Sequence, residues 1–157
     1  GMAALLATLH PERFRAVVMH SGVAPGAAHS AASALAAMGG RREPELPTMA
    51  AALPPLLVVQ GDRDLLVAPA NGMAAAQSWA SGGGAVATEP RSVRRGKRYP
   101  ATVIDFKVKR RILASLCLVE GLGHAWSGGD ARQPFSDAKG PDASKMAWAF
   151  VARQLAR

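Results

Sequence analysis

Apolar and polar positions switch between two periods along the chain. Residues 3 to 10 are rich in Ala and Leu and stop near Pro11, which lacks the N–H that a helix interior needs, so they predict a helix. Residues 14 to 20 end in Val17-Val18-Met19-His20 and are closed by Ser21-Gly22 and a loop through Pro25-Gly26, the pattern of a short buried strand. Ser30 ahead of residues 31 to 38 predicts a capped helix, and Gly39-Gly40 closes it. Residues 41 to 54 read as a charged, Pro-bearing connection. Residues 55 to 60 are nearly continuous apolar sequence, as expected of a parallel strand covered on both faces. A helix over 69 to 80 follows, with Met73 and Trp79 as core contacts and Gly82-Gly83-Gly84 as its end. Residues 103 to 109 alternate as a half-exposed strand does, and residues 114 to 119 predict another buried strand. A last helix is predicted over 145 to 156, with Asp142 or Ser144 as its cap.

Strand and helix alternate, so the economical architecture is α/β: a mostly parallel sheet flanked by helices. With 157 residues, 49% of them hydrophobic, the chain suits one domain over residues 1–157 with a real core. It contains no internal repeat and no linker that would divide it. No apolar run approaches the ~18 residues of a membrane span, and no membrane partner is expected. Cys117, the only cysteine, lies within Leu116-Cys117-Leu118-Val119 and reads as a core thiol.

The formal charge of +8 changes this picture less than its size suggests. Residues 91 to 111 hold nine Lys and Arg against one acid, Asp105, which accounts for the whole excess. A solvated loop and an edge strand kept from pairing by its cations explain such a segment. No nucleic acid is expected as a partner, since only Tyr99 and Phe106 interleave with the charges. A non-catalytic or truncated module that binds polyanions through residues 91–111 is the alternative from another functional class.

Two loops carry candidate chemistry, each just past an apolar strand. One is Gln60-Gly61-Asp62-Arg63-Asp64; the other is Gly121-Leu122-Gly123-His124-Ala125-Trp126-Ser127-Gly128-Gly129. Strand ends are where α/β proteins place catalytic groups, and a carboxylate can orient an imidazole so that its other nitrogen takes a proton from a nucleophile. Asp64 and His124 are therefore the candidate catalytic residues, expected within hydrogen-bond reach of each other. Asp62, directly after Gly61, fits a turn better. Trp126 offers an apolar wall for a substrate. Ser21 lacks the glycines of a G-x-S-x-G elbow, so it and His20 are expected to pack near the site rim. The four histidines are scattered without metal spacing, and no phosphate loop exists, so neither metal nor cofactor is expected.

Met19-His20-Ser21-Gly22-Val23-Ala24-Pro25-Gly26, Val59-Gln60-Gly61-Asp62-Arg63-Asp64, the Gly-His-Ala-Trp-Ser-Gly-Gly string and Gly140-Pro141-Asp142-Ala143-Ser144 together resemble the polyhydroxybutyrate (PHB) depolymerase family of esterases, over nearly the whole chain. The resemblance implies an α/β-hydrolase fold, of which this chain would be the C-terminal part. It implies Asp64 as triad acid, His124 as general base and a serine a few residues before Gly1, so that these 157 residues alone would not turn over an ester. It also implies a small-molecule or polymeric ester as substrate, of the polyhydroxyalkanoate or feruloyl and acetyl types, and an extracellular or periplasmic location. A serine peptidase of the same fold is the neighbouring alternative. Nothing in the residues sets an oligomeric state.

Overall fold

A computed structural model describes residues 1–44 and 53–156, so most of the predicted 41 to 54 connection lies outside the described residues. The centre is a mixed sheet. Strands β1 (Val17–His20) and β2 (Leu56–Gly61) run parallel, and β2 runs parallel to a later strand, Arg111–Val119. Two short strands, β3 (Val86–Ala87) and β4 (Arg91–Val93), and the long β5 (Ala101–Val108) lie between them in sequence, making Arg111–Val119 β6. The spatial order is β1-β2-β6-β5-β3, with β4 also pairing β5, and every pairing of β5 is antiparallel.

Alternation within β2 explains its unbroken apolar character. Leu56 and Val58 point into one core with α1 (Met2–Leu9) and α3 (Ala70–Ser81), where Ala4, Ala7, Ala75, Ala76 and Trp79 pack. Leu57 and Val59 point into a second core with Cys117, Val119 and Phe150 of α4 (Ala143–Leu155). All six residues of β2 are buried, as a strand covered on both faces requires. Trp79 is fully buried, its indole N–H donating to the Pro54 carbonyl at 2.7 Å, and Met73 packs partly buried against the same core.

The helix ends follow their capping residues. Ser30 and Ser33 form a reciprocal capping box at α2 (Ala31–Met38). At α4 it is Asp142 that caps, accepting from the Lys145 N–H at 2.9 Å.

The basic segment departs from expectation. Its 103 to 109 strand is not an edge: β5 lies between β6 and the short β3 and β4, and it forms a hairpin with β6 through Lys109-Arg110. Lys109 takes a positive φ of 54° there, so the turn carries no glycine or proline to announce it. Nor is β5 simply half-exposed, since Asp105 is buried inside it. Asp105 accepts from the Ser115 hydroxyl at 2.7 Å and pairs with the Arg91 guanidinium at 3.2 Å, which satisfies the charge. The exposed, cation-bearing edge is β4.

Candidate active site

The loops after β2 and β6 are zipped together by backbone. The Asp62 N–H donates to the Val119 carbonyl and the Arg63 N–H to that of Leu122, both at 3.1 Å. The Gly121 N–H donates to Asp62 Oδ1 at 2.7 Å, so Asp62 is a turn residue that ties one loop to the other. Gly61 permits this approach, because a Cβ there would collide with the Leu122 carbonyl oxygen.

The zipper brings Asp64 to His124, whose Nδ1 lies 2.9 Å from Asp64 Oδ2. Asp64 is 2% exposed and fully bonded. Its Oδ1 accepts from the backbone N–H groups of Leu66 (3.0 Å) and Val67 (2.8 Å), an Asx-type turn, while the Gln60 amide adds a weaker donor to Oδ2 at 3.3 Å. Burial alone would raise the carboxyl pKa. The hydrogen bonds from Val67, His124 and Leu66 outweigh it and hold the group below the usual carboxylate value, so Asp64 is ionised at neutral pH. An ionised acceptor places the proton of a neutral His124 on Nδ1 and leaves Nε2 unprotonated. Among the described residues nothing hydrogen-bonds Nε2, and the side chain is about one third exposed. A pair in this geometry can take a proton from a hydroxyl presented at Nε2.

Around His124 stand three aromatic rings. Phe135 meets it edge-on at 6.1 Å between centroids, and the Trp126 N–H donates to the Phe135 carbonyl at 2.7 Å through the short pairing of β7 (Trp126–Ser127) with β8 (Ser136–Asp137). Trp126 stacks on His20, centroids 4.8 Å apart and planes 21° from parallel. His20 Nε2 accepts from the Ser127 N–H at 3.1 Å, so its proton sits on Nδ1, which faces Ser21 Oγ at 3.1 Å. Burial, then the neighbouring His124 charge, push the His20 pKa down to about 4 against a partial counter-effect of Asp64, and the ring is neutral. Ser21 itself sits at a positive φ of 46° just past β1.

Sequence reasoning thus finds Asp64, His124 and Trp126, which the fold brings to one end of the sheet, and sets Ser21 and His20 near the rim. It misses Phe135 and Gln60. Phe135 lies in an irregular loop without periodicity. Gln60 is fully buried within an apolar strand, where a lone polar residue is itself a signal.

The family model described as esterase PHB depolymerase matches residues 1–94, more than half of the chain. The chain belongs to the PHB depolymerase esterase family. No curated protein matches it. Within this PHB depolymerase family member the matched stretch carries His20, Asp62 and Asp64, whereas the His124 loop and α4 lie beyond it. Family membership gives the protein an esterase or depolymerase function in general terms. The described residues hold no cluster of three metal-type ligands.

Proposed function

We propose that the complete protein is a serine carboxylic-ester hydrolase with an α/β-hydrolase fold, in which Asp64 and His124 serve a serine N-terminal to Gly1. The observation that carries this reading is the 2.9 Å contact between a buried, ionised Asp64 and the Nδ1 of His124, whose side chain is about one third exposed and whose Nε2 has no hydrogen-bond partner among the described residues. The position of α1 supports an N-terminal nucleophile. A Cβ on Gly22 would stand 2.8 Å from the Gly1 nitrogen, so α1 starts beside the Ser21-Gly22 turn, next to the His20 ring that stacks on Trp126. A residue preceding α1 therefore leaves the helix at the end of the sheet where Asp64 and His124 meet.

In this reading the serine hydroxyl attacks the ester carbonyl while His124 Nε2 takes its proton. The imidazolium returns that proton to the departing alcohol, and Asp64 stabilises the cation throughout. Water, deprotonated by the same Nε2, then attacks the acyl-enzyme, releasing the carboxylic acid and restoring the serine. Trp126, Phe135, Leu65 and Leu66 are all large apolar groups exposed on the loops that carry or adjoin the pair. They favour an apolar ester such as a polyhydroxyalkanoate, a feruloyl ester or an acetyl ester over a charged one. Family resemblance favours work outside the cytoplasm.

The test is hydrolysis of nitrophenyl butyrate and of hydroxybutyrate oligomers by the full-length protein, beside a nitroanilide amide. Esters are expected to turn over and the amide not, with His124→Ala reducing kcat by at least 10³-fold and a fluorophosphonate labelling one serine. Retention of kcat within tenfold in His124→Ala overturns the assignment. Preference for the amide turns it into a peptidase.

A further inference from the structure

The face of the sheet opposite α3 is only partly covered by α4, and the uncovered part is a cavity of about 790 Å³ between α4 and strands β4 to β6. That volume lies within the range of small-molecule sites. Its floor is mostly apolar, with Leu57, Val103 and Cys117 from the sheet and Met146 and Phe150 from α4, and its polar part is Asp105 and Ser115, which bond each other at 2.7 Å while Arg91 pairs the Asp105 charge. Its rim is cationic, because the strand and turn residues Arg91, Arg95 and Arg98 face Lys145 and Arg153 of α4 across it.

These cations are not equivalent. Arg91 is paired with Asp105, Lys145 stands 3.5 Å from Asp142, and Arg98 is committed to the carbonyls of Ala138 (3.2 Å) and Gly140 (2.6 Å). Arg95 and Arg153 have no carboxylate within ion-pair distance among the described residues. Two unpaired guanidinium groups at the edge of an apolar trough are complementary to a ligand with one anionic head and an apolar body. A polyanion would be held by a continuous stripe of outward charge and would leave the floor unused.

We propose that this groove binds an acyl-chain carboxylate, its head on Arg95 and Arg153 and its chain along Val103, Cys117 and Phe150. The acid half of an ester belongs to that chemical class, yet the inference rests on the groove alone and is independent of the role given to His124. Of the nine cations of residues 91–111, three line this groove, and Arg95 is the one of them without a partner among the described residues. The thiol of Cys117 lies in the floor, and burial pushes its pKa up to about 11, so it behaves there as an apolar group.

The experiment is calorimetric titration of the full-length protein with sodium decanoate below its micelle concentration, beside decanol, sodium acetate and heparin. Decanoate is expected to bind at least tenfold more tightly than either decanol or acetate. The double variant Arg95→Glu/Arg153→Glu, both positions being exposed, is expected to weaken decanoate at least tenfold without shifting the unfolding midpoint. His124→Ala is expected to bind decanoate as the parent does, which separates this groove from the candidate active site. Equal affinity for decanol, unchanged affinity in the double variant, loss of binding in His124→Ala, or heparin binding that displaces decanoate while decanoate binds no better than acetate would each overturn the proposal.

Discussion

Replacing Asp64 by asparagine tests the site with almost no change of shape, and the consequences follow from its hydrogen bonds. The new amide must turn its NH₂ toward one of two sets of partners. Toward Leu66 and Val67 it would face two backbone donors at 3.0 and 2.8 Å, which costs two bonds and leaves two buried N–H groups unpaired. Toward His124 it faces a single ring nitrogen at 2.9 Å and the weaker Gln60 contact at 3.3 Å. The second orientation is cheaper, and it makes the NH₂ a donor to Nδ1. His124 must then carry its proton on Nε2, the tautomer that cannot accept one from a nucleophile.

The expected loss in kcat for Asp64→Asn is about 10⁴-fold with little change in KM. Stability falls by about 2–4 kcal/mol, because the charge-assisted bond from His124, worth about 1.5–3 kcal/mol, becomes a neutral one donated by the new amide, and the weaker bond from Gln60 is lost. The stability difference is largest above the ordinary carboxylate value of 3.8. It shrinks as pH falls through the lowered folded value, where the parent carboxylate protonates too. Ester hydrolysis by the full-length protein measures the first effect, and urea unfolding at pH 7 and pH 3 the second. Nitrogen-15 chemical shifts of His124 read the tautomer directly, even without turnover. A variant that keeps Nε2 unprotonated, or that retains kcat within tenfold, refutes the reasoning.

Asp62→Asn is expected to keep its acceptor for the Gly121 N–H, to lose under about 1 kcal/mol of stability and to hold kcat within about threefold, as urea unfolding and ester assays will show. Gly61→Ala places a methyl group on the Leu122 carbonyl oxygen, so it should cost at least about 1–3 kcal/mol in urea unfolding and lower kcat by separating the Asp64 and His124 loops. Trp126→Ala removes the exposed ring stacked on His20; a rise in KM of about tenfold with kcat nearly unchanged is expected, equal to about 1.4 kcal/mol of binding. For His20 the folded pKa of about 4 lies below the ordinary 6.5, so the unfolded chain binds the extra proton between those values. Stability should therefore fall with decreasing pH across that window by up to about 1.4 kcal/mol per pH unit, and this slope should vanish in His20→Gln, with chemical denaturation at four pH values as the check.

The parallel half of the fold and its acid–imidazole pair were legible in the sequence because one physical rule governs both. An apolar run buried on two faces marks a strand such as β2, and the loop past its end lies at the carboxyl edge of the sheet. Asp64 and His124 occupy such places, and the family resemblance pointed to the same two. The antiparallel half was less legible. Its turn at Lys109-Arg110 has no turn residue, and β3 is two residues long, so the pairing of β5 on both sides could not be read from local pattern. Asp105 hid its burial in the same way, since its partners Ser115 and Arg91 are supplied by neighbouring strands. The stack of His20 on Trp126 is likewise tertiary: it joins residues whose separation in sequence carries no signal.

The two halves of the sheet also divide the work. Three adjacent parallel strands, β1, β2 and β6, each deliver one group at or just past their carboxyl ends: His20, Asp64 and His124 respectively. Parallel register makes that convergence automatic, because neighbouring strands end on the same side. Strand β5 runs the other way, so its carboxyl end lies at the far edge, and it sends no residue to the candidate site. What it contributes is surface, a face on which β4 can pair and a trough that α4 roofs only in part. The basic segment is divided between the two ends: Ala101 pairs with Val119, so residues 94 to 98 lie at the end of the sheet that carries the candidate site, and the Lys109-Arg110 turn lies at the other.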